Sequence, residues 1–407
     1  MIKLCVCRSR KYQILLVLIY GLVLQNFLEA YFAKWFGYFD ELISAFFLLY
    51  LVINLRRITR EGFLFKSLAA MSVVVIMAIL STLMHPYQPI SNSLLDLFAN
   101  TKFVMALIGG TFYFSRFNLA KFAKKISYHV KLITTVFILM TVIDLLFGIF
   151  PDTTVQFGKF GLKPLCLIYA HPATLAVVCL FLLSLLCVLN KYGIKSNGYI
   201  VSLILMMIMT MRAKIIGTLA VVLAIYVYVY IFKKKITIKR ILIMVPIVMV
   251  LAWGEIQSYY LYNTEASRLL LTKTSLQIAK DLLPLGSGLA TFASSFSKRP
   301  YSPIYQKYGL SEIWGLSMET GQDISDTFWP MILGQFGIIA LIAYLIFVFN
   351  IFKRIQKIDL NNRFLYLGCW ILFSYLLVAS TSESAFVNAY GVYYAAILSV
   401  YINSSKI

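Results

Sequence analysis

Long apolar runs, punctuated by short basic clusters, repeat along the whole chain. A helix that crosses a bilayer needs about twenty mostly apolar residues. On that measure spans fall near 12–31, 38–55, 64–84, 95–114, 129–150, 165–189, 198–211, 214–232, 241–257, 327–352, 364–380 and 384–403. The pattern predicts an all-α polytopic membrane protein with about twelve transmembrane helices, a single integral membrane domain over 1–407. Met211-Arg212-Ala213-Lys214 splits one long apolar run, so the seventh and eighth spans have an alternative, a broken hairpin that does not fully cross.

One polar gap is much longer than the others. About seventy residues, 257–325, separate spans nine and ten. Within this gap Ser267 to Leu283 reads as an amphipathic helix, with Leu269, Leu276 and Leu283 at seven-residue spacing. Pro284 and the turn Gly286-Ser287-Gly288 follow, then an aromatic stretch with Tyr301, Tyr305, Tyr308 and Trp314 that suits sugars.

Composition agrees with the pattern. Hydrophobic residues make up 61% of the 407 positions and charged residues 13%, against roughly 25% charged in soluble domains. A formal net charge of +21 would ordinarily suggest a nucleic-acid partner. Here 25 of the 37 Lys and Arg residues lie in the terminal segments and alternate short loops, with only Glu61 and Asp359 as acids among them. That asymmetry is a topology signal, not a nucleic-acid footprint. It places both termini in the cytoplasm and the large gap outside, with the basic first span read as a retained signal anchor. The six cysteines, Cys5, Cys7, Cys166, Cys179, Cys187 and Cys369, show neither a disulfide framework nor zinc spacing. Three scattered histidines, His85, His129 and His171, suggest no metal site, and no nucleotide-binding motif is present.

Candidate chemistry gathers on the external side of this map. Arg212 and Lys214 sit between two short spans, where a charge is costly unless it faces a cavity or a partner. Either they snorkel to the headgroups, or they form an anion site; an arginine fork suits a diphosphate. Arg268 opens the loop helix, where a cation gains nothing from the helix dipole. Gly286 and Gly288 mark a turn whose N–H groups could approach a ligand. Asp323 and Asp326 precede span ten and could act as a general base or hold a sugar hydroxyl. Asp40-Glu41 opens span two, where helix capping competes with function. His171-Pro172 is expected about two turns into span six.

Together these features resemble the bacterial O-antigen polymerases and the related O-antigen ligases. The resemblance rests on Tyr38-Phe39-Asp40-Glu41-Leu42, His171-Pro172, Met211-Arg212-Ala213-Lys214, Arg268 with Pro284 to Phe292, and Asp323-Ile324-Ser325-Asp326-Thr327-Phe328 running into a helix with Gly334 and Gly337. It implies a glycosyltransferase of the bacterial cytoplasmic (inner) membrane that polymerises undecaprenyl-diphosphate-linked oligosaccharide repeats into O-antigen, capsule or a similar polysaccharide. The implied chemistry is inverting and uses no metal and no cofactor. The implied partners are the lipid-linked donor, the growing polysaccharide chain, membrane lipids and a chain-length regulator protein. By similarity Arg212, Lys214 and Arg268 hold the diphosphate, Gly286, Gly288 and His171 belong to the substrate region, and Asp326, Asp323 or Glu41 supplies the carboxylate. The ligases carry a loop histidine before the tenth-type helix. This chain has Asp326 there, which favours a polymerase over a ligase. A lipid-linked-sugar flippase or transporter is the reading from another class.

Overall fold

The computed structural model describes residues 2–58, 61–150, 162–251, 253–257 and 266–404. The start of the predicted loop, 258–265, lies outside the described residues. Helices account for the architecture: α1 (Ile2–Tyr31), α2 (Phe39–Ile53), α3 (Gly62–Met84), α4 (Ile90–Tyr113), α5 (Leu119–Phe147), α6 (Pro172–Asn190), α7 (Asn197–Met209), α8 (Ala213–Tyr230), α9 (Ile238–Leu251), α10 (Ser267–Asp281), α11 (Trp329–Gln356), α12 (Arg363–Ala379) and α13 (Ala389–Ser404). No strand occurs among the described residues. Among them, nine helical stretches, α1 to α6, α8, α11 and α12, are long and apolar enough to cross a membrane. The protein is an all-α polytopic membrane protein.

Burial explains why a bilayer is required. Ile338, Ile339, Ile342, Leu345, Ile346 and Phe349 form an exposed stripe on α11, at the three- and four-residue spacing of one helix face. Leu132, Val136, Leu139, Ile143 and Leu146 do the same on α5. In water such stripes would be large unburied apolar patches; hydrocarbon solvates them. Helix α6 is the opposite case, apolar all round and enclosed by its neighbours. It approaches α12 closely where Gly368 presents no side chain, and Ser184 Oγ donates to the Gly368 carbonyl at 2.9 Å. Small residues and hydroxyls at helix contacts are the usual packing device inside a membrane.

Three boundaries depart from the pattern. The sixth span does not begin at 165. Pro172 takes the first helical position, which needs no N–H, and His171 caps the helix by accepting from the Ala173 N–H at 3.0 Å. His171 therefore stands at the mouth of α6 and not two turns inside it. The preceding chain is non-helical and is held by a bond from Leu165 N–H to the Met209 carbonyl. Helix α7 has 13 residues, about 20 Å of rise against a hydrocarbon core of about 30 Å. It is shorter than a full span, whereas α8 is long and apolar enough to cross. The loop helix α10 ends at Asp281, short of Leu283; Leu276 within it and Leu283 beyond it are exposed, while Leu271, Ser275 and Ile278 face inward. The seven-residue stripe thus picked the wrong face; α10 packs beside α11.

Segment 284–302 is docked, not free. Helix α11 is interrupted at Gly337, whose φ of 83° and ψ of −179° leave the Gly334 and Gln335 carbonyls without helical donors. Ser287 N–H and Gly288 N–H fill them at 2.8 and 2.9 Å. Asp96 of α4, fully buried, accepts from Ala290 N–H at 2.7 Å and from Ser294 Oγ at 2.6 Å. A carboxylate that deep would be costly unpaired; here it is a fastening for the loop.

Candidate functional site

Four helices begin at the end of the bundle that carries the docked loop, and their first residues form the candidate site. His171 precedes α6, Arg212 precedes α8, Arg268 lies in the first turn of α10, and Asp326 comes just before α11. Each helix start carries the positive end of a dipole, so their convergence favours an anion. The break between α7 and α8 sets Arg212 in place: Met211 adopts φ 54°, and Arg212 returns to an extended conformation before the new helix starts.

Two ion pairs organise the site. Arg268 Nη2 donates to Asp326 Oδ2 at 2.9 Å. Lys214 Nζ donates to Glu383 Oε2 at 2.6 Å, and Tyr375 Oη donates to Glu383 Oε1 at 2.8 Å. The two pairs are electrostatically linked, because Lys214 also acts on Asp326. Burial pushes the Asp326 carboxyl above the ordinary range, and neighbouring Asp323 adds to this; Arg268 and Lys214 reduce the shift without reversing it. Burial also pushes the Glu383 carboxyl up, but Lys214 and the hydroxyls of Tyr390 and Tyr375 outweigh it and hold the group below the usual range. His171 is lowered to about 4, first by burial and then by the positive charges of Arg212 and Lys214. It is neutral at pH 7. Because Nδ1 accepts from Ala173 N–H, its proton resides on Nε2.

The structure thus brings together Arg212, Lys214, Arg268, Asp326 and His171. Asp323 is adjacent but turned to Ser267, whose hydroxyl donates to Asp323 Oδ2 at 2.9 Å. Glu41 has other partners. It shares Lys102 with Asp40, at 3.0 and 2.5 Å, inside the membrane-spanning part of α2 and α4. Gly286 and Gly288 serve the docked loop: their N–H groups bond Ser81 Oγ and the Gln335 carbonyl. Among the loop aromatics, Tyr305 is fully buried and stacked on Phe292, so it is core of the loop; Trp314 is exposed.

Glu383 was missed by the sequence reading. The signal was present: Ser382-Glu383-Ser384 is the single acidic point in a polar gap between the last two apolar runs. That gap is tied to the site, since Ser384 Oγ donates to the Ser325 carbonyl and Trp329 Nε1 to Ser380 Oγ, both at 3.0 Å. No family model matches the chain, and none of the curated proteins matches it.

Proposed function

We propose that the protein is a membrane glycosyltransferase that polymerises undecaprenyl-diphosphate-linked oligosaccharides into a surface polysaccharide. The observation that carries this reading is the meeting of Arg212, Lys214 and Arg268 with a carboxylate at the starts of four helices. In the proposed step an acceptor hydroxyl attacks the anomeric carbon and the carbon–oxygen bond to the diphosphate breaks. The bonding pair leaves with the lipid diphosphate, and the hydroxyl proton passes to Asp326. The cations and helix ends stabilise the charge the leaving group gains. The donor diphosphate competes with Asp326 for Arg268, so donor binding releases the carboxylate that accepts the proton. An Asp326 carboxyl held above its ordinary range is a better base than a solvated aspartate. The basic clusters at the other end of the bundle, such as Arg56, Arg57, Arg116 and Lys353, support a cytoplasmic location for that end. The reading therefore puts the site on the outer face of a bacterial inner membrane, with both termini cytoplasmic.

Transport of a lipid-linked sugar is the second reading, and one observation favours it. The Lys102–Asp40–Glu41 group lies among the spans, where transporters commonly keep ionisable residues. One experiment tests both. Deletion of the gene followed by electrophoresis of the cell's polysaccharide is expected to show single repeats in place of a ladder. An unchanged ladder overturns the polymerase reading, and complete loss of repeats moves the assignment to a flippase.

A further inference from the structure

A cavity of about 210 Å³ lies between α1, α6 and α13, next to the ionic cluster. Its polar lining comes from Gln25, Asn26, Thr174, Asn388, Tyr390 and Tyr393. These are amides and hydroxyls, with no charged side chain among them, and Leu22, Val177, Val178 and Ala389 complete the wall. Two carboxylates stand one hydrogen bond behind the wall. On one side Tyr393 Oη donates to Gln25 Oε1 at 2.6 Å, and Gln25 Nε2 donates to Asp40 Oδ1 at 2.8 Å. On the other, Asn388 Nδ2 donates to Tyr390 Oη at 2.6 Å, and the Tyr390 hydroxyl bonds Glu383. Each carboxylate is paired with a lysine, Glu383 with Lys214, and Asp40 with Lys102, which Glu41 shares.

The chemistry of this lining selects its occupant. A charged ligand would find no opposite charge in the wall. A purely apolar chain would leave the Asn26, Thr174 and Asn388 side chains facing hydrocarbon, which is costly for polar groups. A ring bearing several hydroxyls satisfies amides and hydroxyls in turn, and Tyr390 and Tyr393 offer apolar faces to its C–H edges. Size narrows the choice, because pockets for drug-sized ligands run from roughly 300 to 1,000 Å³. The cavity is smaller than that and matches one sugar ring better than a whole oligosaccharide.

We propose that this cavity is a saccharide subsite that holds one neutral sugar ring of the lipid-linked substrate, positioned beside the diphosphate by the Asn388–Tyr390–Glu383 chain. The inference rests on the glycosyltransferase reading for the identity of the lipid. It makes Asn388 and Tyr390 positioning residues, and it couples sugar occupancy to the Lys214–Glu383 pair.

The test uses Asn388→Cys in the full-length protein. The background carries Cys5→Ser and Cys7→Ser; the other four cysteines are buried. A small thiol reagent labels the introduced thiol in bilayer discs, with undecaprenyl diphosphate or the lipid-linked repeat from a deletion strain as the probe. Labelling is expected to slow at least about tenfold with the lipid-linked repeat and to be unchanged by undecaprenyl diphosphate alone. Equal protection by both lipids makes the cavity a polyprenyl groove and overturns the proposal, as does protection by neither. A second variant, Ala389→Trp, fills the cavity. It is expected to raise KM for the lipid-linked repeat about tenfold while undecaprenyl diphosphate binds as before; an unchanged KM counts against the subsite. Failure of the parent reading looks different. If the repeat protects the introduced thiol while no variant of the cationic cluster impairs polymerisation, the sugar subsite stands and the diphosphate clamp falls.

Discussion

Lys214 and Glu383 meet at 2.6 Å across 169 residues of sequence and join the start of α8 to the turn between α12 and α13. Both side chains are about one-fifth exposed. Removing one partner leaves the other largely desolvated. Breaking a buried pair costs about 3–5 kcal/mol, and the residual exposure places Glu383→Gln near the lower end. The double variant Lys214→Met/Glu383→Leu, which removes both charges, is expected to recover much of the loss. Thermal unfolding in detergent measures both. A loss in the double variant equal to the sum of the two single losses would show that the pair itself contributes nothing.

Asp326 and Asp323 separate the proposed base from a structural carboxylate. Asp326 faces Arg268, whereas Asp323 is satisfied by Ser267 and its own N–H bonds the Gly315 carbonyl. Asp326→Asn is expected to leave expression and membrane insertion intact and to abolish chain elongation. Asp323→Asn is expected to shorten chains less. Polysaccharide electrophoresis from complemented deletion cells reads both, and wild-type chain lengths from Asp326→Asn remove it from the mechanism. Because the Asp326 carboxyl is raised, elongation by the wild type should fall on acidification, as the base becomes protonated.

How much of this was legible depends on the range of the interaction. Span positions came from local apolar runs, and the runs around 64–84 and 327–352 became α3 and α11 within a few residues. Arg212 and Arg268 stood out because charges next to apolar runs are rare. The start of α6 was missed by seven residues, because hydropathy does not register that proline and a histidine cap begin a helix. Glu383 stands out in the sequence only as a lone acid in a polar gap; its partner, Lys214, lies 169 positions away and comes to it only in the fold. The glycine turn has N–H groups that could approach a ligand, and in the fold Gly286 N–H bonds Ser81 while Ser287 and Gly288 N–H bond α11. A turn with free N–H groups and one whose N–H groups are used look alike in sequence.

The pH dependence of stability follows from His171. Its folded value is about 4, below the ordinary 6.5. Between those values the unfolded chain takes up a proton that the folded chain refuses. Stability from this group is therefore complete above pH 6.5 and is lost as pH falls towards 4. Glu383, held below its usual range, adds a loss in the same direction at the acid end. Unfolding temperature should decline from pH 6.5 to pH 4, and His171→Gln should flatten the upper part of that decline. A parallel decline in the variant would exclude His171 as its source.

Gly337 tests the docking of the loop. Its backbone conformation belongs to a region nearly restricted to glycine, where another residue costs about 1–3 kcal/mol. An added Cβ would also meet the Pro284 carbonyl. Gly337→Ala is expected to loosen segment 284–302 from α11 and to expose the peptide bond after Lys298 to trypsin. Gly309→Ala, at a glycine with no neighbour in the way of a Cβ, supplies the comparison. Its φ of 70° carries backbone strain of its own, but it does not touch α11. If both variants are cleaved at the wild-type rate, the glycine does not hold the loop.

Arg212 and Arg268 separate charge from geometry. In the proposed reaction the leaving diphosphate gains charge as the glycosidic bond breaks, and a donor fixed in a poorly solvated site acts on that charge more strongly than water does. Losing one such donor costs about 2.7–4 kcal/mol, or 10²–10³ in rate. Lysine keeps the charge and loses the planar fork that grips two oxygens at once. Arg212→Ala and Arg268→Ala are each expected to stop elongation, and Arg→Lys at either position to leave a small residue of it. The two sites should differ in one respect. Arg268 also holds Asp326 at 2.9 Å, so Arg268→Lys, which weakens that contact, is expected to move the acid limb of its residual activity upward. Arg212→Lys should leave that limb in place. The measurement is polymerisation of lipid-linked repeats by purified variants across pH, with binding of undecaprenyl diphosphate followed in parallel. Normal rates from both alanine variants would show that the cations do not hold the donor, and the polymerase reading would lose its physical basis. Loss of activity with undecaprenyl diphosphate affinity intact would move the arginines from donor binding to the transition state alone.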